Sequence, residues 1–243
     1  MRVSKKTVFF IGMIALCSLV FAQQVQRQST NTSSKSESSV EEEYLNDVDG
    51  VVMLALATSD EYDNKLVAMQ FLENAVNNGN INEDVMKALN QLAGEGIHSR
   101  SYTNGRLMNN YPDIRRRACL ALGKVKTDEA KDCLVSVALA ESEPMVISAA
   151  VNSLGEVGIN TNDEVVDAIA FANKRNQILN PTSSLASEVI DCYAKLAEKT
   201  ENKKIIIDSL TRIAADYHYI TPVRSKAIKL LRQISGTSSS EGK

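Results

Sequence analysis

Tryptophan is missing from this chain, histidine occurs twice and proline four times, and each scarcity removes a class of protein. His98 and His218 lie far apart, so no His-Glu-x-x-His helix exists. A metal site would have to gather ligands from distant segments. There is no Cys-x-x-Cys pair, no Gly-x-Ser-x-Gly elbow and no Walker-type glycine loop, so the common redox, hydrolase and nucleotide-binding signatures are absent. No stretch of useful length alternates apolar and polar residues, which excludes an architecture of half-buried strands. Of the four cysteines, Cys17 falls in the N-terminal apolar run. Cys119, Cys133 and Cys192 remain, an odd number that makes no disulfide framework. A bridge between Cys119 and Cys133, placed symmetrically about Lys126, and two buried thiols are both open readings. No cofactor, metal or catalytic residue is implied. A Cys119–His98 nucleophile pair is conceivable but has no motif behind it.

What is present begins with an address. Arg2, Lys5 and Lys6 precede an apolar run from Val8 to Ala22, and Val20-Phe21-Ala22 fits a signal peptidase site. Residues 1–22 are expected to be a signal peptide, cleaved before Gln23, that sends the protein to the periplasm or outside the cell. An uncleaved anchor or a lipid on Cys17 is the alternative, and the one route by which a membrane would enter. Formal net charge is −3, and loss of those three cations leaves −6. An acidic protein does not suit nucleic acid, whose binding runs on basic surface. Residues 23–41 are a polar Gln/Ser/Thr tract with little to bury, expected to be a disordered linker. It contains the sequon Asn31-Thr32-Ser33. Residues 42–234 form the domain, and residues 235–243 a loose tail.

Within the domain the prolines share one place in a recurring pattern. Pro112, Pro144, Pro181 and Pro222 each stand ahead of an apolar helical run, the position where a missing N–H costs nothing. Each unit then carries a branched residue, alanine four places on, and leucine or isoleucine four places further. Ile114, Ala118 and Leu122 fit, as do Val146, Ala150 and Leu154, Val223, Ala227 and Leu231, and more weakly Thr182, Ala186 and Ile190. Asn64, Ala68 and Leu72 give a degenerate first copy. This spacing puts the three residues on one helix face. A second helix precedes each. Thr127 opens one, Thr161 opens another with Glu164 as a capping box, Glu201 to Tyr217 is a third, and Tyr44–Leu56 and Val85–Ala93 are the first two. Periodicity of this length indicates a solenoid.

The run Pro112-Asp113-Ile114-Arg115, then Ala118 and Leu122-Gly123, resembles the second-helix signature of HEAT-type repeats. Val223-Arg224 and Ala227 repeat its core. The resemblance implies an all-α fold, a curved α-α solenoid of about five HEAT-like helical hairpins whose second helices line the concave side. It also implies a binding platform more than a catalyst. An enzyme or cofactor-handling member of the fold, or a structural subunit of a cell-envelope assembly, is the alternative.

Two candidate surfaces follow. Opposite the buried alanines lie Leu66 and Gln70, Arg116 and Leu120, Ser148 and Asn152, Ser184 and Glu188, Ser225 and Lys229. This row is a small, mixed-charge groove suited to an extended segment or helix of a protein partner. The alanines are spaced by 50, 32, 36 and 41 residues. The long first interval holds an insertion, residues 94–111, with His98, Arg100, Tyr102 and Arg106 as a loop candidate.

Overall fold

The computed structural model of the chain describes residues 40–238. The expected signal peptide, most of the expected linker with its sequon, and residues 239–243 lie outside the described residues. The chain divides into two units, residues 1–45 and 46–243, and the repeats belong to the second. Ten α-helices alternate as first and second members of hairpins among the described residues. The first members are α1 (Val40–Thr58), α3 (Glu83–Ala93), α5 (Asp128–Ala140), α7 (Glu164–Leu179) and α9 (Lys203–Ala215). The second members are α2 (Tyr62–Asn77), α4 (Pro112–Leu122), α6 (Pro144–Val157), α8 (Ser183–Leu196) and α10 (Thr221–Ser238). Second helices pack in the order α2, α4, α6, α8, α10, and first helices in the order α3, α5, α7, α9. This is the helical-repeat solenoid that the pattern implies.

The alanine register carries the packing. Ala68, Ala118, Ala150, Ala186 and Ala227 are each fully buried. Leu72, Ile114, Leu122, Val146, Leu154 and Ile190 flank them in the core. In α10 the deeper leucine is Leu230, and Leu231 is half-buried against the core edge. The glycines after Leu122 and Leu154 mark where neighbouring second helices come closest. A Cβ on Gly123 would stand 2.6 Å from Ser153 Oγ and 2.7 Å from its Cβ. Only a hydrogen fits there, so the α4–α6 junction is set by the absence of a side chain.

Three local expectations are corrected. Pro112 and Pro144 head their helices and Pro222 is the second residue of its own. Pro181 instead precedes the N-cap Thr182 of α8. It acts on the residue before it: Asn180 is driven out of the helical region (φ −156, ψ 74) and α7 stops. Thr127 caps α5 through Ala130 N at 3.3 Å, but Thr161 caps nothing. Residues 161–163 make a 3-10 turn in which Asn162 (φ 50) and Asp163 (φ 60) are both left-handed. That turn aims the buried Asp163 carboxylate at the next repeat. There it accepts from Glu201 N (3.0 Å) and Asn202 N (2.7 Å), at the start of α9. Finally, α10 runs on to Ser238, past the expected boundary at 234.

The insertion is ordered by a buried polar network. Glu95 is 3% exposed and holds Lys65 Nζ at 3.1 Å. Asn109 Nδ2 donates to Glu95 Oε1 at 2.6 Å and to Ser99 O, and Asn109 Oδ1 accepts from Ser101 N. Arg115, 2% exposed, binds Glu141 across to the end of α5 at 2.6 Å and caps Glu95 O at 3.1 Å. Gly96 (φ +73) lets the chain cross so close to Asn109 O that a Cβ would stand 2.4 Å from it. From this base projects a two-residue hairpin, β1 (Tyr102–Thr103) and β2 (Arg106–Leu107), turning through Asn104 and Gly105 with positive φ at both.

Candidate partner-binding surface

The row opposite the alanines faces solvent. Gln70, Arg116, Leu120, Ser184, Ser225 and Lys229 are exposed, and Leu66, Ser148, Asn152 and Glu188 are half-buried. Its members are not equally free. Ser148 Oγ donates to Pro144 O at 2.7 Å, spending its hydroxyl on its own helix. Asn152 Nδ2 donates to Glu188 Oε2 at 2.9 Å, a link between α6 and α8.

Two hollows lie along the row. The larger, about 660 Å³, brings together Leu120 of α4 and Asn152 of α6. Its floor is Val76, Leu120, Ala121 and Gly123, and its rim holds Glu73, Arg117, Lys124, Lys126 and Glu156. The rim charges are mostly matched. Arg117 binds Glu73 through two 2.8 Å hydrogen bonds, Lys124 Nζ reaches Asn77 Oδ1 at 2.6 Å, and Lys195 holds Glu156 at 2.6 Å. The Lys195 ammonium keeps the Glu156 carboxyl below its ordinary range. The smaller hollow, about 560 Å³, joins Ser225 and Lys229 on α10. Gln70, Arg116, Ser148, Ser184 and Glu188 line neither. The sequence reading missed the rim residues because it followed the two places beside each alanine. The groove opens about one helical turn later, at Glu73, Gly123, Ser153 and Glu156.

The loop candidates are split by the fold. Tyr102, 58% exposed, and Arg106 stand on the two strands of the hairpin. Arg100 Nε donates back to Ile97 O at 3.1 Å. His98 is tied away from the tip, with Nε2 2.9 Å from Ser136 Oγ on α5. His218 pairs with Asp216 at 2.8 Å beside the start of α10.

Cys119, Cys133 and Cys192 are all free thiols. Burial drives Cys119 far above the ordinary thiol range and raises Cys133 and Cys192 to about 12. A nucleophile needs the opposite shift, and His98 is engaged elsewhere, so the Cys119–His98 pairing has no geometric support. Among the described residues no group of three His, Cys, Asp or Glu is placed to hold a metal ion. No described helix is long and apolar enough to cross a membrane.

Residues 106–179 match the family model described as HEAT repeats. The comparison with curated proteins and with solved structures yields no match. HEAT repeats generally serve as protein-interaction scaffolds. The matched segment covers α4 to α7, and the hairpins on either side repeat its alanine register and packing. The match over residues 106–179, set within an all-α helical-repeat fold, supports a HEAT-type helical repeat protein.

Proposed function

We propose that this protein is an exported, non-catalytic scaffold that holds a protein partner against its second helices. The observation that carries the reading is the groove over Leu120. It combines an apolar floor with a rim of both charge signs, the composition that anchors a partner side chain while satisfying its backbone. An extended segment or a helix laid across α2, α4 and α6 would place one apolar anchor on Leu120 and Val76. Lys126, exposed on the rim, would meet its acidic or carbonyl groups. The competing reading, an enzyme or cofactor-handling member of the fold, needs ionisable groups gathered in a deep hollow. Here the hollow is open, and Glu73 and Glu156 are each tied to a cation.

Leu120→Arg tests this. Leu120 is exposed, so folding should change by no more than about 0.5 kcal/mol, while a guanidinium fills the floor. Crosslinking in the native host, followed by capture, should recover a partner with the wild type and lose it with the variant. Recovery of the same partner with both would move the site to the hairpin, and Tyr102→Ala with Arg106→Ala would then be the variant that loses it. Export has its own check: the N-terminus of protein from the native host should be Gln23, and an intact Met1 or a lipid on Cys17 would overturn that part.

A further inference from the structure

The first and last of the four junctions between second helices carry a charge pair in one shared register. The residue five places after one central alanine meets the residue one place before the next. Glu73 of α2 binds Arg117 of α4 at 2.8 Å, and Asp191 of α8 binds Lys226 of α10 at 2.6 Å. At the two middle junctions the same place is glycine: a Cβ on Gly123 would clash with Ser153, and one on Gly155 would press on Cys192 Sγ and Lys195 Cδ at 3.2 Å. In α10 it is Arg232, and the place that holds Glu188 in α8 holds Lys229. The sign of the ladder is reversed on α10, the last second helix among the described residues.

This uncovered face is both apolar and basic. Ile228 is 40% exposed and lines the hollow with Lys229 and Arg232. α10 has four cations and no carboxylate. Asp191 matches Lys226, and Arg224 donates to Ala214 O, but Lys229 and Arg232 have no carboxylate partner among the described residues. A terminal repeat usually ends in a polar outer face.

The opposite end of the stack is its complement. α2 meets α4 through Tyr62, Glu73 and Asn77. Helical geometry puts Val67 and Phe71, one turn apart, on the other side of α2, where they are 41% and 51% exposed. Residues 41–64 carry eight acids and no lysine or arginine. Asp49, Asp60, Glu61 and Asp63 are exposed.

We propose that copies of this protein associate head to tail, the α10 face of one docking on the α2 face of the next and continuing the ladder. In the ladder's register Arg232 falls beside Val67, one turn from Asp63, and the apolar side chains Ile228 and Phe71 are buried between the copies. Arg232 and Lys229 replace acids because the incoming helix begins in acids: Asp60, Glu61 and Asp63. The two surfaces differ, so the contact is heterologous and propagates into open chains or rings.

Sedimentation of the purified full chain across a wide concentration range tests the proposal. At low salt the average mass should rise with concentration, and high salt should reverse it. Lys229→Glu with Arg232→Glu, or Asp60→Lys with Asp63→Lys, should each leave monomer. All four residues are exposed, and helicity by circular dichroism checks that both variants remain folded. An equimolar mixture of the two variants should restore association, because each reversed end then meets its complement. Wild type that stays monomeric at low salt overturns the proposal. So does association that both variants retain, or a mixture that stays monomeric.

Discussion

Gly123→Ala sets two opposing effects against each other at the α4–α6 junction. Gly123 has helical dihedrals (φ −60, ψ −21), so alanine fits the backbone without strain. On propensity alone the change would stabilise by up to about 1 kcal/mol. Against this, the new methyl stands 2.6 Å from Ser153 Oγ, 2.7 Å from its Cβ and 3.0 Å from its Cα. Carbon contacts prefer about 3.5–4.0 Å, so the helices must part by the better part of an ångström along a buried face. Overpacking of this kind costs about 1–3 kcal/mol. The net expectation is destabilisation of about 1–2 kcal/mol, a fall in melting temperature of a few degrees for a chain this size. Ser153→Gly removes the two nearest atoms, so the double variant should recover most of the loss. Urea unfolding of wild type, both single variants and the double variant gives the coupling energy directly. A more stable Gly123→Ala, or a coupling indistinguishable from zero, would refute the claim that glycine is there to admit the next helix.

Glu141→Ala should cost about 3–5 kcal/mol, because it leaves the Arg115 guanidinium buried without a counter-charge. Glu141→Ala combined with Arg115→Met should recover most of it in the same unfolding assay, and a double variant as unstable as the single would count against the pair. Asp163→Ala removes acceptors from the N–H groups of Glu201 and Asn202 while keeping a left-handed backbone that alanine tolerates poorly. A loss of about 2–3 kcal/mol is expected, with hydrogen exchange quickening first at the start of α9. If protection there is unchanged, the clamp is not holding that helix. Cys133 and Cys192, raised to about 12, should be roughly one part in ten thousand thiolate at pH 8. Alkylation of the native protein should therefore be slow and should accelerate with rising pH, whereas the unfolded chain reacts at once. Rapid labelling of Cys119 or Cys192 in the folded state would contradict their burial.

What the sequence disclosed was whatever repeats locally. The alanine register placed five helices because Ala68 through Ala227 obey one helical period, and a period is visible in a single strand of text. Leu-Gly after Ala118 and Ala150 was visible too, but its meaning was not, since the glycines answer to Ser153 and Cys192 in the next repeat. Lys65 with Glu95, and Arg115 with Glu141, could not be read at all. Nothing in a local window distinguishes a buried cation from a solvated one, and their partners stand some thirty residues away. Thr161 misled because Thr-x-x-Glu is a local rule, and here Asp163 has a stronger commitment to α9. Of the serine row, Ser184 and Ser225 are exposed, but Ser148 turns its hydroxyl onto Pro144 O and the groove opens a turn further along.

The network that pins residues 95 and 109 has a consequence for the chain between them. Glu95, Asn109 and Arg115 fix both ends of the insertion on the body of the repeats, so the loop is already closed at its base. Lengthening the Asn104-Gly105 tip then adds only the slow logarithmic cost of a longer loop, about 0.6 kcal/mol for each doubling. The neighbouring hairpins need not register it. The tip is therefore a port: a place where a lineage, or an engineer, can splice in an epitope, a fluorophore-binding peptide or a small domain and leave the helices behind it unaware of the change.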